Sequence, residues 1–145
     1  MKYFAYGSNM NFEQMNSRCP SNSFLKPVYC KKMKLVFVDK SIKWGGAIAN
    51  MISGQKDTWG GLYKVNNDNL AALDCFEGSK YERRTVEVFG IDGKVDSAIT
   101  YLRKTQNEKE KKPSQKYMDI IIEGAMNCGL SDTYIEMLQK IPTHE

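Results

Sequence analysis

The sequence predicts an α+β fold in which a small β-barrel is flanked by helices. Strand-like and helix-like segments run in the order strand, helix, a run of strands broken by one helix, then two helices. That segregation favours α+β over a βαβ alternation. Two glycine pairs, Gly45-Gly46 and Gly60-Gly61, fall at the start of strand-like segments, where paired glycines mark bulges or close backbone approach, as at the corners of a small barrel. At 145 residues, 41% hydrophobic and 26% charged, the chain reads as one globular domain spanning 1–145.

Residues 2–6 are aromatic and β-prone and stop at Gly7. Asn11 is placed to cap a helix, with Gln14 three residues on, and Pro20 ends that helix near Cys19. Within residues 28–39, Leu35-Val36-Phe37-Val38 reads as a buried strand; further strands follow over Gly45–Asn50 and Thr58–Val65. Asn67-Asp68 caps a short helix, from Asn69 to about Phe76, that turns Leu70 and Leu73 inward and closes at Gly78. Thr85–Ile91 and Lys94–Arg103 form two strands joined through Asp92-Gly93, a hairpin signal. Ser114 caps a helix whose inner face carries Tyr117, Ile121, Gly124 and Cys128 and which ends at Gly129. Ser131-Asp132 opens a last helix bearing Ile135, Leu138 and Ile141.

Composition narrows the chemistry. The single histidine, His144, stands at the end of the sequence, where a frayed and solvated residue is expected. Ser-His-Asp and Cys-His nucleophile systems, and zinc sites built on several histidines, are therefore excluded. None of Cys19, Cys30, Cys75 and Cys128 forms a Cys-x-x-Cys pair, and all four read as free thiols, mostly small core hydrophobes. The proton carrier is then a carboxylate, lysine, tyrosine or cysteine. The net charge is 21 − 17 = +4, gathered in Lys26, Lys31, Lys32, Lys34, Lys40 and Lys43, and again in Arg103, Lys104, Lys109, Lys111 and Lys112. Such runs read as solvated loops, or as a field that steers an anion. No apolar stretch has membrane-span length and no signal peptide is evident, so a cytoplasmic protein is expected.

Three places can carry chemistry. Tyr6-Gly7-Ser8-Asn9 lies between a strand and a helix; a positive φ at Gly7 would let successive N–H groups converge on an anion. A plain strand-to-helix turn with Asn9 as an extra cap would carry the same residues. Glu77 ends the short helix, where the dipole disfavours a negative charge and aromatic surroundings would raise its pKa into the range of a general base; the alternative is a solvated helix end. Tyr81 and Arg83 follow and either reach the same pocket or simply open the next strand. Tyr117 is either core or a pocket residue, and Trp44 and Trp59 read as packing anchors.

In order, Tyr3-Phe4-Ala5-Tyr6-Gly7-Ser8-Asn9-Met10, Leu73-Asp74-x-x-Glu77-Gly78 and Pro113-Ser114-x-x-Tyr117 resemble the gamma-glutamylcyclotransferases. Trp59–Val65 and Gly124–Leu130 are similar as well, so the resemblance runs from position 3 to about 141. It implies a small, partly open mixed β-barrel. It implies Glu77 as the catalytic acid/base, and Tyr3, Phe4, Ala5, Tyr6, Gly7, Ser8, Asn9 and Tyr117 as the residues that bind substrate. Met10 stands where the family often has leucine, and the Glu77–Tyr81 connection is short.

The implied reaction is an intramolecular cyclisation. The α-amine of a gamma-glutamyl group attacks its own side-chain carbonyl, giving 5-oxoproline and a free amino acid or amine. Glu77 takes the ammonium proton and returns one to the departing nitrogen; the amides around Gly7-Ser8-Asn9 hold either the γ-carbonyl oxyanion or the α-carboxylate. No cofactor or metal is implied. The partner is a small gamma-glutamyl substrate, with no nucleic acid and no membrane, and a homodimer is left open. The alternatives are a gamma-glutamylamine cyclotransferase or biosynthetic deblocking enzyme on the same scaffold, and a catalytically silent anion-binding module.

Overall fold

The computed structural model describes residues 1–144. Its strands are β1 (Lys2–Ala5), β2 (Ser23–Cys30), β3 (Met33–Ser41), β4 (Gly46–Ser53), β5 (Thr58–Lys64), β6 (Tyr81–Phe89) and β7 (Val95–Arg103). Its helices are α1 (Phe12–Arg18), α2 (Asn67–Glu77), α3 (Gln115–Asn127) and α4 (Asp132–Gln139). A 3-10 turn, Ser8–Met10, joins β1 to α1. Among the described residues no helix is long and apolar enough to cross a membrane.

Five strands close a barrel in the order β1-β5-β2-β6-β7, and β3 and β4 form a separate hairpin. The barrel is mixed: β1 meets β7 in parallel at Tyr3↔Ile99, and the other pairings are antiparallel. Two seams are thin, β1–β7 at that pair and β2–β6 at Tyr29↔Phe89. The opening implied by the resemblance is thus bridged at single register pairs. Phe4, Val28, Leu62 and Val88 are wholly buried in the core, together with Met118, Ile121 and Leu138 from the flanking helices.

Several local expectations match. Asn11 caps α1 by accepting from the Gln14 N–H, and Ser114 and Ser131 cap α3 and α4 in the same way. Others are corrected. The strand β2 was not foreseen, because Pro27 interrupts its pattern; it is accommodated opposite Gly61, just past a register shift between Phe24 and Lys26. The α2 cap is Asn66, whose side chain and that of Asn69 exchange bonds with each other's N–H, rather than Asn67-Asp68. β6 starts at Tyr81, four residues earlier than expected, and the connection to β7 is a wider loop closed by the Gly90 N–H on the Lys94 carbonyl at 2.9 Å.

Gly60-Gly61 is a barrel feature, since a Cβ on Gly60 would stand 2.1 Å from the Ala5 carbonyl oxygen. Gly45-Gly46 instead belongs to the β3–β4 hairpin. Cys19, Cys30 and Cys128 are buried as expected, but Cys75 is exposed on α2. Arg103, expected on a solvated run, is buried between Asp39 and Glu108 at 2.7 and 2.8 Å. His144 is exposed but not frayed: its N–H donates to the Pro113 carbonyl at 3.1 Å.

Candidate active site

A cavity of about 240 Å³ opens where the β1 end, the 3-10 turn, the α2 end, the β3–β4 hairpin tip and the start of α3 converge. It is lined by Tyr3, Tyr6, Gly7, Ser8, Asn9, Glu77 and Tyr117, seven of the nine residues singled out by the sequence. Phe4 and Ala5 do not line it. Both are core residues, and their carbonyls support the wall: Phe4 accepts from Thr100 Oγ1 at 2.8 Å, and Ala5 abuts Gly60. Alternation along β1 turns Phe4 inward, opposite to Tyr3, whereas Ala5 shares the Tyr3 face and is taken up by its close contact with Gly60.

Asn9 is the hub of the loop. Its amide donates to Tyr3 Oη at 3.0 Å, and its Oδ1 accepts from Gln14 Nε2 at 3.0 Å and from Arg18 Nη1 at 3.1 Å. Gln14 Nε2 also reaches Ser8 Oγ at 2.7 Å. The residue three after the cap therefore serves the loop rather than the helix end. Tyr63 Oη donates to the Asn9 carbonyl at 2.9 Å, fixing the turn from the barrel side. Gly7 has φ −118°, so the loop does not use a left-handed glycine; its missing Cβ leaves room, since one would lie 3.3 Å from Ala49 Cβ. The turn's own bonds begin at Met10, whose N–H donates to the Gly7 carbonyl at 3.1 Å, followed by the Asn11 N–H to the Ser8 carbonyl at 3.0 Å; the first donors of a helical turn lack an acceptor within it. Behind the loop, α3 approaches so closely that a Cβ on Gly124 would lie 2.4 Å from the Asn11 nitrogen.

Tyr117 and Tyr81 hold the opposite wall. Tyr117 Oη accepts from the Ala49 N–H at 3.0 Å, and Tyr81 Oη donates to the Ala49 carbonyl at 2.6 Å. Ser114 Oγ donates to the Trp44 carbonyl at 2.6 Å, and the Trp44 ring lies 5.1 Å from that of Tyr117. Trp44 is thus both a packing anchor and part of the lining. Tyr81 enters the cavity, whereas Arg83 does not: it forms a two-pronged pair with Asp74 at 2.8 and 2.6 Å on the outer face. Asp74 is held below its ordinary pKa first by Arg83, and Tyr101 Oη donates to it at 2.6 Å.

Glu77, the last residue of α2, is the one carboxylate in the lining, and it is partly buried. Burial pushes its pKa up to about 7, while Arg18 and Lys43 pull against that shift. The cavity tyrosines behave differently. Burial first, with the charge of Glu77 contributing, holds Tyr3 and Tyr6 well above their ordinary values, and burial does the same to Tyr117. They remain neutral hydroxyls, so Glu77 is the cavity group that exchanges a proton near neutrality. Sequence reasoning did not identify Arg18 or Lys43 as site residues. Arg18 carried no local signal at all, and Lys43 was submerged in a lysine run.

Comparisons with known proteins bear on the family and the fold. The AIG2-like family model matches residues 57–138. A human gamma-glutamylcyclotransferase is 35% identical over 99% of this chain and 79% of its own length, and the mouse protein is 33% identical over the same shares. A solved gamma-glutamyl cyclotransferase superposes with a TM-score of 0.94 at 33% identity, covering 100% of this chain and 89% of the other. With the predicted motifs gathered around one cavity and relatives matched along almost the whole chain, the chain belongs to the gamma-glutamylcyclotransferase family, within the AIG2-like group.

Proposed function

We propose that this chain is a gamma-glutamylcyclotransferase that converts a gamma-glutamyl amino acid into 5-oxoproline and the free amino acid, with Glu77 as the acid/base. The observation that supports it most is a lone carboxylate with a pKa raised to about 7 in a tyrosine-lined cavity that the Gly7-Ser8-Asn9 segment also lines.

The residues present are enough for the chemistry. An α-ammonium has a pKa near about 8. A carboxylate raised to about 7 accepts its proton at little cost, and the same acid is strong enough to return it. The freed amine attacks the γ-carbonyl carbon, and a C–N bond forms in a five-membered ring. The tetrahedral centre then expels the original nitrogen, which takes the proton from Glu77, and the second proton of the ring nitrogen passes to the released amine, leaving the single N–H of 5-oxoproline. No water is consumed. The N–H groups of the Gly7–Asn9 segment serve the negative oxygens of the substrate, the α-carboxylate or the oxyanion formed on the γ-carbonyl. Tyr3, Tyr6 and Tyr117, kept neutral, shape the cavity around the folded glutamyl chain. Four free cysteines suit the reducing cytoplasm, where we place the protein.

The test is direct. Purified protein incubated with a panel of gamma-glutamyl amino acids and amines is assayed for 5-oxoproline. Product from the amino acids supports the reading, product from the amines alone points to the gamma-glutamylamine alternative, and no product at all leaves the silent anion-binding module.

A further inference from the structure

Outside the inner cavity lies a second groove of about 540 Å³, and the two share Arg18, Lys43, Trp44 and Phe76 as a common neck. Glu77 lines the inner cavity and not the groove. The inner space of about 240 Å³ is smaller than the roughly 300–1,000 Å³ of pockets that enclose a whole drug-sized ligand. It suits the glutamyl half of a substrate, with the scissile nitrogen near Glu77 and the leaving group emerging through the neck.

We propose that Lys43 is a specificity-determining residue that binds the carboxylate of the leaving group at this neck, so that amino acids are released in preference to simple amines. The inference rests on the gamma-glutamyl reading above. In an amino-acid leaving group the carboxylate sits one carbon from the scissile nitrogen, which places it at the neck itself. Beyond the neck the charged lining is acidic, from Glu13, Asp119 and Glu123, so Arg18 and Lys43 are the cations that line the neck, with Lys116 outside the lining at 5.8 Å from the centre of the Trp44 ring.

Of these two, Arg18 is held in place by the substrate loop and by α2. It donates to Asn9 Oδ1 at 3.1 Å and its guanidinium lies 4.6 Å from the centre of the Phe76 ring. Lys43 rests against the Trp44 ring at 5.2 Å, on an exposed hairpin tip, and is not ion-paired among the described residues. Burial first, then Arg18 and Lys116, hold its pKa below the ordinary lysine value, with Glu77 opposing them. An arriving carboxylate relieves that cation crowding, which an uncharged alkyl group does not.

The competing assignment gives Lys43 to the glutamyl α-carboxylate, which every substrate carries. The two are separated by comparing gamma-glutamyl-alanine with gamma-glutamyl-ethylamine, measuring kcat/KM for 5-oxoproline release by the unmodified chain, Lys43→Ala and Lys43→Arg. Taking the ratio of the two substrates on one preparation cancels the folded fraction and any shift in Glu77 titration. The expected result is a ratio that favours alanine, falls about tenfold in Lys43→Ala, mainly through KM, and recovers to within about threefold in Lys43→Arg. A Lys43→Ala variant that slows both substrates equally, or leaves the ratio unchanged, overturns the inference while the cyclotransferase reading stands. No 5-oxoproline from either substrate with the unmodified chain overturns both.

Discussion

Tyr117 Oη accepts the Ala49 N–H at 3.0 Å, tying the first turn of α3 to the middle of β4 across the cavity. Both partners are buried. The bond gives Tyr117 two duties, since the same ring forms part of the cavity wall. Tyr117→Phe keeps the ring and removes the acceptor, leaving a buried N–H unpaired. We expect a loss of about 1–3 kcal/mol in a thermal melt, with a raised KM. An unchanged melting temperature would mean that the backbone finds another acceptor and that Tyr117 does not hold β4.

Gly124 tests whether the approach of α3 positions the substrate loop. A Cβ there would lie 2.4 Å from the Asn11 nitrogen and 2.6 Å from the Met10 carbonyl carbon, both backbone atoms. Gly124→Ala must push the 3-10 turn that carries Ser8 and Asn9. The expected outcome is a destabilisation of about 1–3 kcal/mol together with a loss of activity larger than the unfolded fraction explains. Paired melting and turnover measurements separate the two effects.

Arg103 anchors the wall from behind. Its side chain pairs with Asp39 and Glu108, and its guanidinium lies 5.0 Å from the centre of the Tyr81 ring. Arg103→Met leaves Glu108 without its cation and Asp39 with Lys80 alone, at 3.2 Å, and because both carboxylates keep some solvent we expect a loss of about 1–3 kcal/mol near neutral pH. The sign of the pH dependence follows from Asp39, held well below its usual pKa first by the Lys40 N–H and then by Arg103. A depressed carboxylate stabilises the fold above its unfolded pKa, and that contribution disappears as pH falls through the folded value. The gap between the two proteins therefore narrows below about pH 4. Urea titrations at several pH values would show it.

Glu77 has the opposite sign. Its folded pKa of about 7 lies above the ordinary 4.5, so the folded state favours the protonated form and the ionised carboxylate costs stability as pH rises through that interval. Glu77→Gln should be more stable than the unmodified chain by about 1–2 kcal/mol near pH 8, with the gain fading toward pH 4.5. A variant equally stable at both ends would mean that burial does not strain this carboxylate.

What could be read in advance follows the range of the interactions. Asn11, Ser114 and Ser131 were legible as caps because a cap bonds three residues along its own chain. Glu77 and the Tyr6–Asn9 loop were legible because helix ends and strand-to-helix turns leave local marks and a family motif. Tyr81 was legible as a near neighbour of Glu77, but Arg18, Lys43 and Tyr101 reach the cavity from three separate segments, and no spacing in the sequence links them. Arg103 was misjudged for the same reason: its partner Asp39 is 64 positions away. β2 was hidden by Pro27, whose missing N–H matters little at a register shift. Phe4 and Ala5 share a motif with true lining residues, yet strand alternation and the Gly60 contact place them in the core.

The most direct test of the account is the pH dependence of gamma-glutamyl-alanine cyclisation, measured as kcat/KM between about pH 5 and 9 for the unmodified chain and Glu77→Gln. The account predicts an acid limb with a midpoint at about 7, where Glu77 gains the proton it must lack to act as base. It also predicts that Glu77→Gln lowers kcat by about 10²–10⁴-fold and abolishes the limb. Turnover by the glutamine variant at the original rate, with the same limb, would contradict it.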